Sequence, residues 1–413
     1  MNKLLWIVKS VIIVLLLIMT SGCWDQTEVD RKAYVVGIGL DKGKKEKINI
    51  TYLISNPEYG SQQGGNTNEP ATEIITFEAN DLITSRNIAN SVVAKQISYD
   101  MLSVIIVSKQ LAKDKNFIRW MYDATKDREI KRNTSFLVTK EKASSFIEQN
   151  EPKLETRPHK YFTLIFEHAG ETGLIPKSDL MRYFRITEAD GDLFLAALGT
   201  NRQTNQERSN GHLEAGEFQI KGKTNKTNLM GSAVFKEGRM IGELSGEETR
   251  LSLLLNDTVN SPNYTTTFQD PFNKNYDITA KIIKNKKNDV SMRKMNRKTI
   301  LNIKVPLTLE VLTDHSMVNY AKNKEKRYQL KAYLTTEITE KLNKLVVKTQ
   351  KDFKGQPFGW SLQGRKYFLT VDEYEKYDWM KSYPSMEVKM SVEIRFGEFG
   401  RQTDLPKLKQ VRD

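Results

Sequence analysis

The chain has very little of what builds metal centres or disulfide frameworks. Its 413 residues contain one cysteine and four histidines, His159, His168, His212 and His315. A single thiol excludes an internal disulfide and the Cys₄ and Cys₂His₂ zinc sites. No two histidines stand at the i,i+4 spacing of a helical metal pair, so neither a metal nor a cofactor is expected. Also absent are G-x-x-x-x-G-K-[ST], G-x-S-x-G and H-E-x-x-H. Gly37-Ile-Gly39 is not a dinucleotide fingerprint, because Asp41-Lys42-Gly43 turns the chain where a helix should begin. The neighbouring carboxylates Glu247-Glu248 and Asp372-Glu373 read as solvated helix-surface charge, since nothing near them in sequence would raise a carboxyl pKa. No catalytic constellation emerges, and an enzyme is not expected.

What remains is the composition of a folded protein: 38% apolar residues and 28% charged ones, enough for two or three domains. Basic residues outnumber acidic ones, 64 to 51, for a net charge of +13. The excess suits anionic headgroups or wall polymers.

The most informative stretch is the start, MNKLLWIVKSVIIVLLLIMTSGC. Lys3 and Lys9 supply a positive region and Val11–Met19 an unbroken apolar run. That run is far short of the ~20 residues a membrane-spanning helix needs, so residues 1–22 read as a signal peptide. Small residues then lead into the lone cysteine, Thr20-Ser21-Gly22-Cys23, in a pattern similar to a bacterial lipobox, with Thr20 where an aliphatic residue is usual. Cleavage is expected between Gly22 and Cys23, and the Cys23 sulfur is the expected attachment point of S-diacylglycerol, with an N-acyl chain (palmitate or similar) on its amine. Two or three chains anchor stably where one would not, and acylation removes a free thiol from an oxidising space. Export makes nucleic acid an unexpected partner.

Beyond the leader, Ala33–Leu40 and Ile48–Ile54 read as a hairpin around the Asp41-Lys42-Gly43 turn. Residues 60–70 read as a polar surface loop. Asp81 is expected to cap a helix reaching about Ile97, and Met101–Val107 to form a buried strand. A helix near Phe117–Thr125, a strand at Ser135–Thr139 and a helix at Lys142–Gln149 follow. Residues 23–200 therefore form an N-terminal α+β region, and the polar residues 201–228 a linker or long hairpin loop.

A C-terminal α+β domain is expected over 229–400, with a basic tail at 401–413. Leu301 to Val311 and Met386 to Phe396 alternate strictly between apolar and polar, the mark of strands with one buried face in antiparallel sheet. Pro306 places its strand at an edge or a bulge. Between them Lys324–Phe353 predicts a long amphipathic helix with Leu330, Leu334, Ile338, Leu342, Leu345, Val346 and Phe353 in its stripe, and Glu337–Lys341 and Glu340–Lys344 as i,i+4 pairs. The basic segment Lys274–Lys304 reads as a solvated hairpin tip, or else as a patch facing lipid phosphates or an acidic partner. The fold class is thus α+β and multidomain: mixed or antiparallel sheets each covered by helices, with the long helix on the C-terminal sheet.

Several segments together resemble the Ger(x)C family of spore-germination lipoproteins, the C subunits of nutrient germinant receptors. They are Gly22-Cys23-Trp24-Asp25, Gly37 to Gly43, Asp127-Arg128-Glu129-Ile130-Lys131-Arg132, Gly231 to Lys236, Gly242 to Ser245 with Glu248-Thr249, and the Lys324–Phe353 helix running into Phe358-Gly359. Two places depart from the family pattern: Asp100-Met101 stands where Gly-His is usual, and Phe353 to Gly359 alters the stretch after the long helix. The resemblance implies a non-enzymatic lipoprotein on the outer face of the spore inner membrane. It further implies work with two integral membrane partners, the A and B subunits, and no small-molecule substrate of its own. The alternatives are a solute-binding lipoprotein of an importer, which would read as two regular β-α-β lobes, and a cell-wall enzyme.

Overall fold

The computed structural model describes residues 5–7, 9–11, 31–56, 72–189, 191–204, 215–217, 220–295 and 298–400. Its strands are β1 (Lys32–Lys42), β2 (Ile48–Ser55), β3 (Thr72–Ala79), β4 (Gln96–Ser98), β5 (Val104–Ser108), β6 (Ser135–Thr139), β7 (Phe194–Thr200), β8 (Asn228–Lys236), β9 (Arg239–Leu244), β10 (Tyr264–Gln269), β11 (Asp277–Ile283), β12 (Asp289–Met295), β13 (Lys298–Asp314) and β14 (Glu387–Phe396). The α-helices are α1 (Leu82–Asn90), α2 (Lys109–Ala112), α3 (Phe117–Lys126), α4 (Ala143–Gln149), α5 (Pro158–Glu171), α6 (Leu180–Ala189), α7 (Gly246–Leu255), α8 (Lys324–Lys348), α9 (Trp360–Gly364), α10 (Val371–Tyr377) and α11 (Trp379–Ser382). No described helix is long and apolar enough to cross a membrane.

The first sheet has nine strands in the order β3-β2-β1-β5-β6-β7-β8-β9, with β4 beside the start of β1. Its centre, β1-β5-β6-β7, is parallel and both flanks are antiparallel. Side chains alternate between two cores. Val35, Ile38, Ile105, Val107, Phe136 and Val138 pack under α1, α2, α3 and α6, and Val36, Val104, Ile106 and Leu137 under α4 and α5. A strand buried on both faces reads as a continuous apolar run, which is why β5 does. Gly39 lies on the α4 face, where a Cβ would stand 2.8 Å from Ile147 Cδ1, so α4 approaches this closely only over glycine. Asp41, at the end of β1, caps α4 by accepting from Ala143 N and Ser144 N at 2.8 and 2.9 Å.

The expected helix after Asp81 is shorter than its apolar spacing suggested. Asp81 does cap it, accepting from Thr84 N, but α1 ends at Asn90, whose side chain accepts from Ile97 N at 2.8 Å. That bond draws Ile97 into β4, where pairing with β1 outweighs another helical turn. The first sheet also runs past position 229: β8 and β9 complete its edge, and Thr200 pairs with Asn228. Residues 201–227 therefore connect two neighbouring strands of one sheet.

The second sheet has five strands, with β13 at its centre. β12 pairs with residues 298–304 of β13 and β11 with 308–314, so Pro306, which has no N–H to give, sits where neither antiparallel neighbour reaches. One difference from the sequence reading is direction: β14 runs parallel to β13 over ten registered pairs, from Ile300–Glu387 to Leu309–Phe396. Alternation gives the buried face but not the strand direction, and a crossover through α8 returns the chain parallel.

α8 and the turn after it span the expected Lys324–Phe353. Asn323 caps the start by accepting from Lys326 N at 3.0 Å. The whole predicted stripe from Leu330 to Phe353 is buried. The last turn, Thr349–Phe353, widens to a π-helix, closed by Lys354 in the left-handed region (φ 49). Lys341 does not stay within its own helix; its ammonium sits 2.5 Å from Glu247 on α7, and Lys348 reaches Glu248 at 2.7 Å. The Glu247-Glu248 pair, expected as solvated charge, thus links α7 to α8, while Glu248 also completes a capping box with Ser245. Leu342→Ala, at a fully buried point of the stripe, is expected to lower the unfolding free energy by about 2–5 kcal/mol, read from the urea midpoint at constant m.

Candidate functional site

Gly22, Cys23 and the 401–413 tail lie outside the described residues. Among the described residues, a surface groove of about 970 Å³ lies between α3, the Asp127–Arg132 segment and α6.

α3 buries Phe117, Trp120, Met121 and Ala124, one stripe at helical spacing, and leaves Tyr122 and Thr125 facing out. At Asp127 the backbone turns extended, and Asp127 Oδ1 accepts from Glu129 N at 2.9 Å. Through the bends and turn that follow, the side chains divide. Asp127 and Glu129 point back to Arg86 at 2.8 and 3.1 Å. Glu129 also accepts from Tyr99 N at 2.7 Å, and Lys131 donates to the Asp100 carbonyl. Arg128, Ile130 and Arg132 line the groove, as does Asp127.

The opposite wall is α6. Met181 N donates to Arg132 O at 2.8 Å and Leu180 N to Thr134 O at 3.1 Å, fixing the helix start against the segment. Leu180 and Tyr183 face the core, and the Tyr183 hydroxyl donates to Gly238 O at 2.8 Å. Met181, Phe184, Arg185 and Glu188 face the groove, where Phe184 stacks on Tyr122 with ring centroids 5.5 Å apart.

Behind the groove is a braced polar cluster. The Arg86 guanidinium lies 4.2 Å over the Tyr99 ring. Tyr99 shares a 2.5 Å hydroxyl contact with Tyr52, which also meets Ser85 at 2.6 Å. Burial pushes the Tyr99 hydroxyl above its usual pKa. Burial also lowers Arg182, on α6, against the pull of Asp179 and with the push of Arg185. By contrast Arg128, Arg132 and Arg185 have no carboxylate partner among the described residues.

The groove's lining holds no histidine, cysteine or serine, and no three His, Cys, Asp or Glu side chains cluster as metal ligands among the described residues. The guanidiniums of Arg128, Arg132 and Arg185 stay protonated at neutral pH and present hydrogen-bond donors only. The sequence singled out Asp127–Arg132 but missed α6 entirely. Its signals are Asp179, which accepts from Arg182 N at 2.8 Å as an N-cap would, and the Leu180–Tyr183 spacing.

The basic segment Lys274–Lys304 is not a solvated tip: it forms β11, β12 and the start of β13. Lys284 is buried against Asp257 at 2.6 Å. Lys294 lies over Phe368 and Tyr377 at 3.8 and 4.9 Å from their centroids. Asp372 and Glu373 sit in the first turn of α10, where Thr370 accepts from Glu373 N.

A mixed, helix-covered sheet joined to a second sheet under one long helix, with a surface groove on the first, defines a two-sheet α+β protein. Residues 25–200 match the spore germination protein N-terminal domain, and residues 230–400 the spore germination B3/GerAC-like C-terminal domain. The chain is similar to spore germination protein B3 of Bacillus subtilis (strain 168), 19% identical over 400 residues that cover 95% of this chain and 98% of that protein. It is 24% identical to spore germination protein KC of the same organism over 142 residues, about a third of each chain (33% and 35%). In fold it resembles the crystal structure of the GerBC protein, with a TM-score of 0.52, 15% identity, and coverage of 89% of this chain and 99% of that one. The chain belongs to the GerAC/GerBC-like family of spore germination proteins, the germinant receptor C subunits.

Proposed function

We propose that the chain is a non-catalytic, lipid-anchored subunit of a nutrient germinant receptor. Acyl chains on Cys23, exposed by cleavage after Gly22, moor the two-sheet body at the outer face of the spore inner membrane. There it works with two integral membrane subunits, A and B. The carrying observation is the match of both halves of the body to the family, downstream of an apolar N-terminal stretch that runs into Gly22-Cys23-Trp24. A groove of guanidiniums and apolar side chains supports recognition over catalysis. Anchoring raises the local concentration of the body near its partners, so weak contacts suffice, and a germinant bound elsewhere in the complex shifts a shared conformational equilibrium.

Cys23→Ala tests this in spores. The expected result is loss of the chain from the membrane fraction and of the response to nutrient, with the response to non-nutrient triggers retained. A variant that stays membrane-bound and germinates at the wild-type rate would overturn the reading.

A further inference from the structure

We propose that the groove between α3, Asp127–Arg132 and α6 docks an acidic segment of a protein partner, carboxylates on its arginines and an apolar side chain on its floor. The proposal deepens the receptor reading, which supplies only where that partner resides.

The charge argument comes first. Arg128, Arg132 and Arg185 line the groove as exposed guanidiniums without a carboxylate partner among the described residues. Of the two carboxylates in the lining, Asp127 is held by Arg86 at 2.8 Å, which leaves Glu188 alone against three cations. Guanidinium forks take carboxylates in pairs of hydrogen bonds and stay charged at any physiological pH. A second copy of this chain is a poor occupant, because the chain as a whole carries +13.

Shape and lining then choose among anions. The groove is concave, with Ile130 and Leu180 buried at its base and Tyr122, Met181 and Phe184 standing partly exposed above them. Aromatic residues, methionine and arginine without lysine form the composition of a protein interface core. A bilayer surface would ask for a larger cluster of lysines and arginines on a projecting face. The walls are also fixed in advance: α6 is hydrogen-bonded to the 132–134 backbone, and Arg86 braces the segment from behind. Little ordering is left to oppose binding.

The test places a photo-crosslinker in the groove of the full chain in spores, Met181→benzoylphenylalanine, at a half-exposed position. The expected product is a covalent adduct whose partner peptide, mapped by mass spectrometry, carries Asp or Glu beside an apolar residue. R128E with R132E should cut the adduct yield about tenfold or more, and changing the mapped carboxylates to lysine should restore it. Both arginines are exposed, so the melting temperature of the purified double variant should match the parent and separate lost docking from lost folding. Failure to crosslink while the chain remains in the membrane fraction overturns the proposal. So does an adduct to lipid or to a segment without carboxylates, or a yield unchanged in R128E/R132E. An acidic adduct from a protein that nutrient germination does not require leaves the groove assignment standing and overturns the receptor reading. A wild-type Cys23→Ala phenotype also removes the receptor reading, without touching the groove.

Discussion

Lys284→Met should lower the unfolding free energy by about 3–5 kcal/mol, the cost of leaving a buried charge without its counter-ion. Lys284 and Asp257 are 5% and 4% exposed at the side chain and meet at 2.6 Å. Burial pushes the Lys284 ammonium below its usual pKa, and Asp257 opposes that push. The same ammonium donates to Leu254 O at 2.7 Å. Asp257 accepts further from Asn288 N and from Gln363 Nε2 at 3.1 Å. The cluster fastens the end of α7, which lies against the first sheet, to the β11–β12 turn and α9 of the second. In Lys284→Met these neutral donors remain, but the carboxylate stays buried. The double variant Lys284→Met/Asp257→Asn removes both charges and should recover a substantial part of the loss. Urea unfolding of the parent, the two single variants and the double variant measures the coupling. A single-variant cost under about 1 kcal/mol would mean that solvent reaches the pair.

Asp192→Asn should change how stability depends on pH. Asp192 precedes β7 and accepts from Ser361 Oγ at 2.6 Å and from Gln356 Nε2, while Leu193 N donates to Gln356 O at 2.8 Å. This second joint ties the first sheet to the chain that follows α8. Burial raises the Asp192 carboxyl from 3.8 to about 6, against the hydrogen bonds from Ser361 and Gln356. The sign follows from proton uptake: a raised carboxyl binds its proton more tightly in the folded state. Its contribution is therefore fully present below pH 3.8 and lost as pH rises to about 6. A rise from 3.8 to about 6 corresponds to at most about 3 kcal/mol. Other carboxylates run the opposite way; Asp114, held below its usual range by Lys42, is one. The difference between parent and Asp192→Asn isolates the group. That difference should fall between pH 4 and 6 and be flat above about 7. A pH-independent difference would place the carboxyl in contact with water.

Two departures from the sequence reading share a cause. β14 lies parallel to β13, and Lys341 leaves its own helix for Glu247, because each choice depends on an element distant in the chain. Local pattern reports which side of an element is apolar. It does not report what meets that side.

The places of β1, β13 and α8 were legible in the sequence alone, since apolar runs, period-two alternation and helical stripes are properties of neighbouring residues; β13 nonetheless runs over Lys298–Asp314, beyond the alternating Leu301–Val311. The groove was decided only by the tertiary structure. Asp127, Arg128, Glu129 and Arg132 are all charged and lie in one short segment, yet Asp127 and Glu129 pair with Arg86 while Arg128 and Arg132 line the groove. That division exists because the first sheet sets α1 and α6 on either side of one short segment of bends and turn, and burial of one set of charges needs a partner that only folding supplies.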